Sequence, residues 1–361
     1  MKTNHFAVVA AAATRAIGLT ACSSMDGMMG GMKSGMPAMA GMSGRPDADM
    51  QAVLDALTAL GAKPIETLSV AQARTQPSPA DAVNRVKTMR GMSIAPDASV
   101  TTTNLTYPTG GTTQAVRVYK PAGATGPLPV VVYYHGGGWV IANLDVYDAT
   151  PRAMAKALNA VVVSVEYRKG PENKFPAFYD DANAAYRWVL DNARAWGGDP
   201  TNIAVAGESA GGNLAVNVAI MARDANLTQP KHVLAVYPIA NADPNLPSKM
   251  ENTESLPLRT ATLMWFGQYA LRGPADQQDP RFNLVAADLH GLAPVTIVNA
   301  GIDPLNSDGE TLMGALRRAH VPVERRVWAG ATHEFFSMAD VVGDARQAQA
   351  WSFGRMHSSL R

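Results

Sequence analysis

The stretch Gly207-Glu208-Ser209-Ala210-Gly211 decides how this chain is read. It is the sequence's one G-x-S-x-G pattern, and its flanks suit a strand-turn-helix. Ile203-Ala204-Val205-Ala206 enters it as a buried strand would, and Gly212-Asn213-Leu214-Ala215-Val216-Asn217-Val218 leaves it with a helical mix of small and apolar residues. A serine on so tight a turn is forced into strained backbone, and the glycines on either side leave room for it. The helix start behind it favours developing negative charge. The competing reading, an ordinary glycine-rich loop between strand and helix, has to be weighed against the rest of the chain.

Upstream, His135-Gly136-Gly137-Gly138-Trp139 follows the apolar run Val130-Val131-Val132-Tyr133-Tyr134. Three glycines in a row let the main chain approach a substrate and turn its N–H groups inward, as an oxyanion hole requires. Either motif taken singly is weak. Both, in this order and each behind a strand, are specific.

A serine hydroxyl is a poor nucleophile at neutral pH and needs a base and an orienting acid. Behind a strand-turn-helix serine these follow in chain order, acid then histidine. Only His320, His333 and His357 of the seven histidines lie far enough downstream. His320 closes an amphipathic helix, and His357 falls in the polar C-terminal tail. His333 follows the strand-like Val323–Trp328 and a loop over 329–332, where a histidine at the carboxyl edge of a sheet belongs. By the same placement the acid is Asp303, at the exit of the strand Val295–Ala300. Asp308 competes, but Ser307-Asp308-Gly309-Glu310 has the form of a capping box, which accounts for that carboxylate structurally.

These residues resemble the hormone-sensitive lipase family of α/β-hydrolases, in its bacterial carboxylesterase branch. The match is carried by His135 to Trp139, Tyr167-Arg168-Lys169-Gly170-Pro171-Glu172 with Phe175-Pro176-Ala177, Gly207 to Gly212, Asp303-Pro304-Leu305 and His333-Glu334-Phe335. It runs from about Ala48 to the C-terminus. The resemblance implies that Ser209 attacks an ester carbonyl, His333 carries the proton and Asp303 orients the imidazole. It also implies an oxyanion hole of the Gly137, Gly138 and Ala210 N–H groups, supported by His135, Gly136, Trp139, Gly207, Glu208 and Gly211. Glu208 reads equally well as a hydrogen-bonding support or as packing. Three positions depart from the family: Glu208 stands where aspartate is commoner, Asn306-Ser307 replaces a charged pair, and Glu334 replaces a glycine. None is expected to touch a reacting group, and the effect expected of Glu334 is on the shape of the pocket rim.

The composition, 47% hydrophobic and 17% charged, is that of a compact globular enzyme. Strand-like runs alternate with helix-like ones from Ala115 onward, including a helix over 178–195. That pattern gives an α/β fold: a mostly parallel sheet with helices on both faces. Two segments stand outside the alternation. Residues 47–95 hold two expected helices, the first ending at Gly61 and the second starting at Ser78-Pro79. An insertion at about 241–275 follows the strand Val233–Tyr237. The resemblance implies that the two fold together as a helical cap over the hydrolase domain, 96–361.

The N-terminus reads separately. Lys2 and an apolar run lead to Leu19-Thr20-Ala21-Cys22, which has the form of a bacterial lipobox with the chain's single cysteine at its end. Residues 1–21 are then a signal peptide, Cys22 the lipid anchor, and 22–46 a flexible tether, with seven methionines over 25–44. A plain secretory signal or a misassigned start are the alternatives, since Arg15 interrupts the apolar run. The expected place is the cell envelope, held to the membrane by lipid. A net charge of +1 offers nucleic acid no basic face. No metal or cofactor is called for, and the partner is a small ester. An amide or lactone hydrolase, and a surface binding protein on a hydrolase fold, remain as other readings.

Overall fold

The computed structural model describes residues 44–361, and within them one eight-stranded sheet organises the chain. Three helices come first: α1 (Ala48–Ala59), α2 (Val70–Thr75) and α3 (Pro79–Met89). The strands are β1 (Val100–Thr109), β2 (Thr112–Pro121), β3 (Leu128–Tyr134), β4 (Val161–Val165), β5 (Gly198–Glu208), β6 (Val233–Val236), β7 (Val295–Ile302) and β8 (Val323–Thr332). Between and after them run α4 (Ala149–Leu158), α5 (Ala177–Asn192), α6 (Ala210–Asp224), α7 (Pro247–Glu251), α8 (Thr260–Ala270), α9 (Asn306–Arg318) and α10 (Gly343–Ser359). The strand order is β1-β2-β4-β3-β5-β6-β7-β8. β1, β2 and β4 pair antiparallel, and β4 through β8 pair parallel. The proposed signal peptide, Cys22 and most of the tether lie outside the described residues.

The central strands are nearly continuous valine, alanine and isoleucine because both faces are covered. Alternate side chains serve two cores. Val130, Val132 and Tyr134 pack with Leu214 of α6 and Leu312 of α9, while Val131 and Tyr133 pack with Met154 of α4 and Phe353 of α10. The edges differ. β1 is threonine-rich and mostly exposed, and β8 carries Glu324, Arg325 and Arg326, charges that blunt an open edge.

Four local expectations change. The N-terminal segment holds three helices rather than two. The added one, α2, is short but opens with a capping box between Ser69 and Gln72, a signal present in the sequence. The helix expected over 178–195 ends at Asn192 and gives way to a 3₁₀ turn over Ala193–Trp196. Residues 329–332 continue β8 instead of forming a loop, so His333 follows the strand directly. His357 lies in the last turn of α10, not in an irregular tail.

The segment between α1 and α2 meets the inserted α8 over the carboxyl ends of the strands. Thr262 donates to Glu66 at 2.7 Å, Arg259 pairs with the same carboxylate at 3.4 Å, and the Trp265 indole donates to the Leu68 carbonyl at 3.1 Å. Arg74 fastens this layer to the sheet. Its guanidinium donates to the carbonyls of Val140 and Gly170 and grips both oxygens of Glu172 at 2.8 Å. Arg74→Met should therefore lower the unfolding free energy by about 1–3 kcal/mol, measured by urea denaturation, and raise KM more than it lowers kcat.

Candidate active site

The turn after β5 forces Ser209 to φ +56°, a left-handed value that serine adopts only under constraint. Sterics around it explain the glycines. A Cβ on Gly207 would lie 2.1 Å from the Gly211 carbonyl oxygen, and one on Gly211 would lie 2.0 Å from that of Tyr134. The elbow is thus wedged against the end of β3, the strand that leads into His135-Gly136-Gly137-Gly138.

Asp303 leaves β7 and His333 leaves β8, at the same edge of the sheet as Ser209. His333 Nδ1 lies 2.7 Å from Asp303 Oδ2, and Nε2 lies 3.1 Å from Ser209 Oγ. A carboxylate can only accept, so Nδ1 carries the proton and Nε2 is left to accept from the serine. Asp303 is itself fixed: its Oδ1 accepts from the Leu305 N–H at 2.9 Å, and the side chain is fully buried. Burial would lower the imidazole's pKa, but the charge and hydrogen bond of Asp303, with Glu334 and Glu208 nearby, outweigh it and leave the pKa raised.

Asp308 lies elsewhere, and the capping box does not form. Ser307 sits inside α9 and exchanges hydrogen bonds with Ser248 of α7, at 2.9 and 3.1 Å. Asp308 is buried under the inserted segment, where it accepts from the N–H groups of Ala240 and Asn241 and faces the Lys249 ammonium at 3.1 Å. Its role is structural, though by a different route from the one expected.

Gly137 and Gly138 have φ of +97° and +58°. A Cβ on the first would meet the Ile141 carbonyl at 2.4 Å, and one on the second the Phe266 ring at 2.2 Å. Among the described residues, the N–H groups of Gly137, Gly138 and Ala210 donate to no other protein group. Gly137, Gly138 and Ser209 line one cavity. His135 steadies this loop: its ring stacks on Tyr167 at 4.4 Å, and Nδ1 lies 2.7 Å from the Gly136 oxygen. Trp139 stacks on Phe178 at 5.2 Å, and Gly136 gives way to the Tyr147 hydroxyl, which a Cβ there would approach to 2.3 Å.

Beneath the serine, Glu208 accepts from the Tyr133 hydroxyl at 2.6 Å and from that of Tyr237. Burial pushes its carboxyl up to about 7. Of the two readings of Glu208, hydrogen-bonding support describes these contacts. Glu334 corrects a second expectation, because it approaches the imidazole of His333. Its Oε1 lies 3.9 Å from His333 Nε2, and both its oxygens accept from Tyr147 at 2.7 Å. Burial raises its pKa. The direction of this side chain goes with a positive φ of +71° at Glu334, a backbone angle that motifs do not display.

A cavity of about 910 Å³ joins these groups. Ser209, His333, Glu334, Gly137 and Gly138 line one end, while Leu54, Leu57 and Ile65 from the N-terminal helices and Leu256 to Arg259 from the insertion roof it. Among the described residues no cluster of histidine, cysteine and carboxylate side chains could hold a metal ion.

A family model described as an alpha/beta hydrolase fold matches residues 131–337. The chain belongs to this family. Among hydrolases it is similar to the carboxylesterase NlhH of Mycobacterium tuberculosis, 40% identical over 250 residues that cover 68% of this chain and 78% of that one. It is also similar to the ethyl acetate hydrolase of Pseudomonas putida, 35% identical over 239 residues, covering 65% and 75%. Among solved structures, the Pyrobaculum calidifontis esterase superposes with a TM-score of 0.75 at 32% identity, over 84% of this chain and 97% of that one.

Three measurements test the geometry. The free imidazole is the form that can take a proton from Ser209, so kcat/KM should rise with pH through a pKa above the ordinary 6.5 of histidine. Asp303→Asn should shift that limb downward and lower kcat by about four orders of magnitude. Asp308→Asn should instead destabilise the fold by about 3–5 kcal/mol, leaving Lys249 buried and unpaired, with kcat of the folded protein little changed.

Proposed function

We propose that this hydrolase cleaves carboxylic esters of short acyl chains, using Ser209, His333 and Asp303 as its triad and Gly137, Gly138 and Ala210 as its oxyanion hole. The chain is a carboxylesterase, of the branch that resembles hormone-sensitive lipase. The observation that carries the mechanism is the unbroken hydrogen-bond run from Asp303 through His333 to Ser209, opening on a roofed cavity. Ser209 Oγ adds to the ester carbonyl carbon while Nε2 takes its proton. The negative charge that develops on the carbonyl oxygen is met by the three free N–H groups, each such donor being worth about 3 kcal/mol in the transition state. Collapse releases the alcohol, which leaves with the proton from Nε2. Water then repeats the sequence on the acyl-serine and frees the acid.

The roof sets substrate size. A cavity of about 910 Å³ is large for a small ester and too small for a long-chain triglyceride. Each methylene buried in it gains about 0.8 kcal/mol until the walls are reached. Beyond them, a longer chain must displace the cap or remain in water.

We further propose that Cys22, outside the described residues, carries a lipid that holds the enzyme at the cell envelope. The lipobox form of Leu19-Thr20-Ala21-Cys22 supports this.

Ser209→Ala should abolish hydrolysis of p-nitrophenyl esters and labelling by a fluorophosphonate, with the melting temperature nearly unchanged. Substantial turnover by this variant would end the assignment. Across p-nitrophenyl esters from acetate to palmitate, kcat/KM should peak at roughly four to six acyl carbons, and a rise continuing to palmitate would make the protein a lipase. Mass spectrometry should find a diacylglyceryl adduct on the wild type in bacterial membranes and none on Cys22→Ser.

A further inference from the structure

Glu334 combines three features that core packing does not explain. It holds left-handed backbone that a glycine would adopt without strain. It places a carboxylate at the end of the cavity that holds the nucleophile, with its side chain 16% exposed there. One donor, the Tyr147 hydroxyl, fixes both its oxygens, so lone pairs remain for a ligand.

Its Oε1 lies 3.9 Å from His333 Nε2, the atom that passes protons to and from the reacting oxygens. A single water at an ordinary hydrogen-bond distance of about 2.9 Å reaches both atoms. Resting on the triad reading above, we propose that Glu334 positions the water that hydrolyses the acyl-enzyme and thereby favours hydrolysis over acyl transfer to alcohols. In this step the water oxygen forms a bond to the acyl carbon. One of its protons passes to Nε2, and the other stays on the oxygen, held toward Glu334. The tetrahedral adduct then collapses, the bond from carbon to Ser209 Oγ breaks, and Nε2 returns its proton to Oγ. The carboxylic acid leaves with the proton Glu334 had held in place. An alcohol has one O–H and cannot satisfy both acceptors. If that proton goes to Nε2, its alkyl group faces the carboxylate.

The acylation half of the cycle needs no such water, and this separates the proposal from a general weakening of the triad. Full-length wild type, Glu334→Gly and Tyr147→Phe are compared by stopped flow on p-nitrophenyl butyrate. An acid quench and mass spectrometry follow the butyryl adduct on Ser209, and product analysis is done with and without methanol. Glycine suits φ +71°, so Glu334→Gly adds no backbone strain, and its melting temperature serves as the folding control. It should release p-nitrophenol in the first turnover within about twofold of the wild-type rate, then deacylate roughly tenfold more slowly, the effect of one lost hydrogen bond. Acyl-Ser209 should accumulate, and the ratio of methyl butyrate to butyrate should rise roughly tenfold. Tyr147→Phe, which only frees the carboxylate, should shift both quantities the same way by less. Unchanged deacylation and product ratio in Glu334→Gly would overturn the proposal while leaving the triad intact, as would equal losses in both half-reactions. Failure to trap any adduct on Ser209 in wild type or in Glu334→Gly, with both still turning over, would remove the triad reading and this inference with it.

Discussion

The site depends on how closely two backbones approach each other. Gly211, in the first turn of α6, lies so near the end of β3 that a single methyl group would overlap the Tyr134 carbonyl. That approach sets the left-handed turn at Ser209 and fixes the serine relative to the glycine loop that continues from β3. Ser209 and the Gly137–Gly138 turn follow different strands, yet their spacing is set by steric contact rather than by side-chain adjustment. Pre-organisation of this kind means the donors need not reorient when charge appears.

Parallel strands supply the remaining groups. β7 and β8 end beside β5 and β6, so residues that follow them emerge at one edge, and Asp303 and His333 meet Ser209 there. The imidazole is held between a carboxylate on one nitrogen and a hydroxyl on the other, with the Tyr237 ring at 4.4 Å. Two more carboxylates, Glu208 and Glu334, lie close by, each restrained by tyrosine hydroxyls. Such a concentration of buried acid is costly unless each is hydrogen-bonded, and the tyrosines Tyr133, Tyr147 and Tyr237 provide that bonding.

Much of this was legible in the sequence because it rests on local signals. The glycine patterns around Ser209 and His135 are steric requirements, and strands with both faces covered are recognisable from unbroken apolar runs. The placement of Asp303 and His333 followed from chain order and from what each residue trails. What escaped was set by tertiary contact. Ser307 has the spelling of a cap, but its hydroxyl serves Ser248 across the fold, and Asp308 serves the backbone of the inserted segment. The antiparallel pairing of β1 and β2 leaves no distinct mark in threonine-rich runs. Glu334 could be seen as unusual, but the direction of its side chain follows from a backbone angle that sequence does not reveal.

The roof over the cavity also constrains the order in which the molecule can be assembled. Glu66 waits for Thr262, 196 residues further on, and Asp49 accepts from the N–H of Gly343, 294 residues away. The Asp47 N–H is bound to Gly330, in β8. The backbone and carboxylate that open α1 therefore wait for β8 and α10 to be made. Contacts this distant carry a large loop-closure cost and form late. Until then the apolar side of α1, with Met50, Val53 and Leu54, has Ala82 and Val86 of α3 as its near neighbours in sequence, and the rest of that surface is a natural binding target for chaperones. Catalysis is thereby tied to completion: a chain truncated before β8 lacks both the base and the surface on which half of its roof rests.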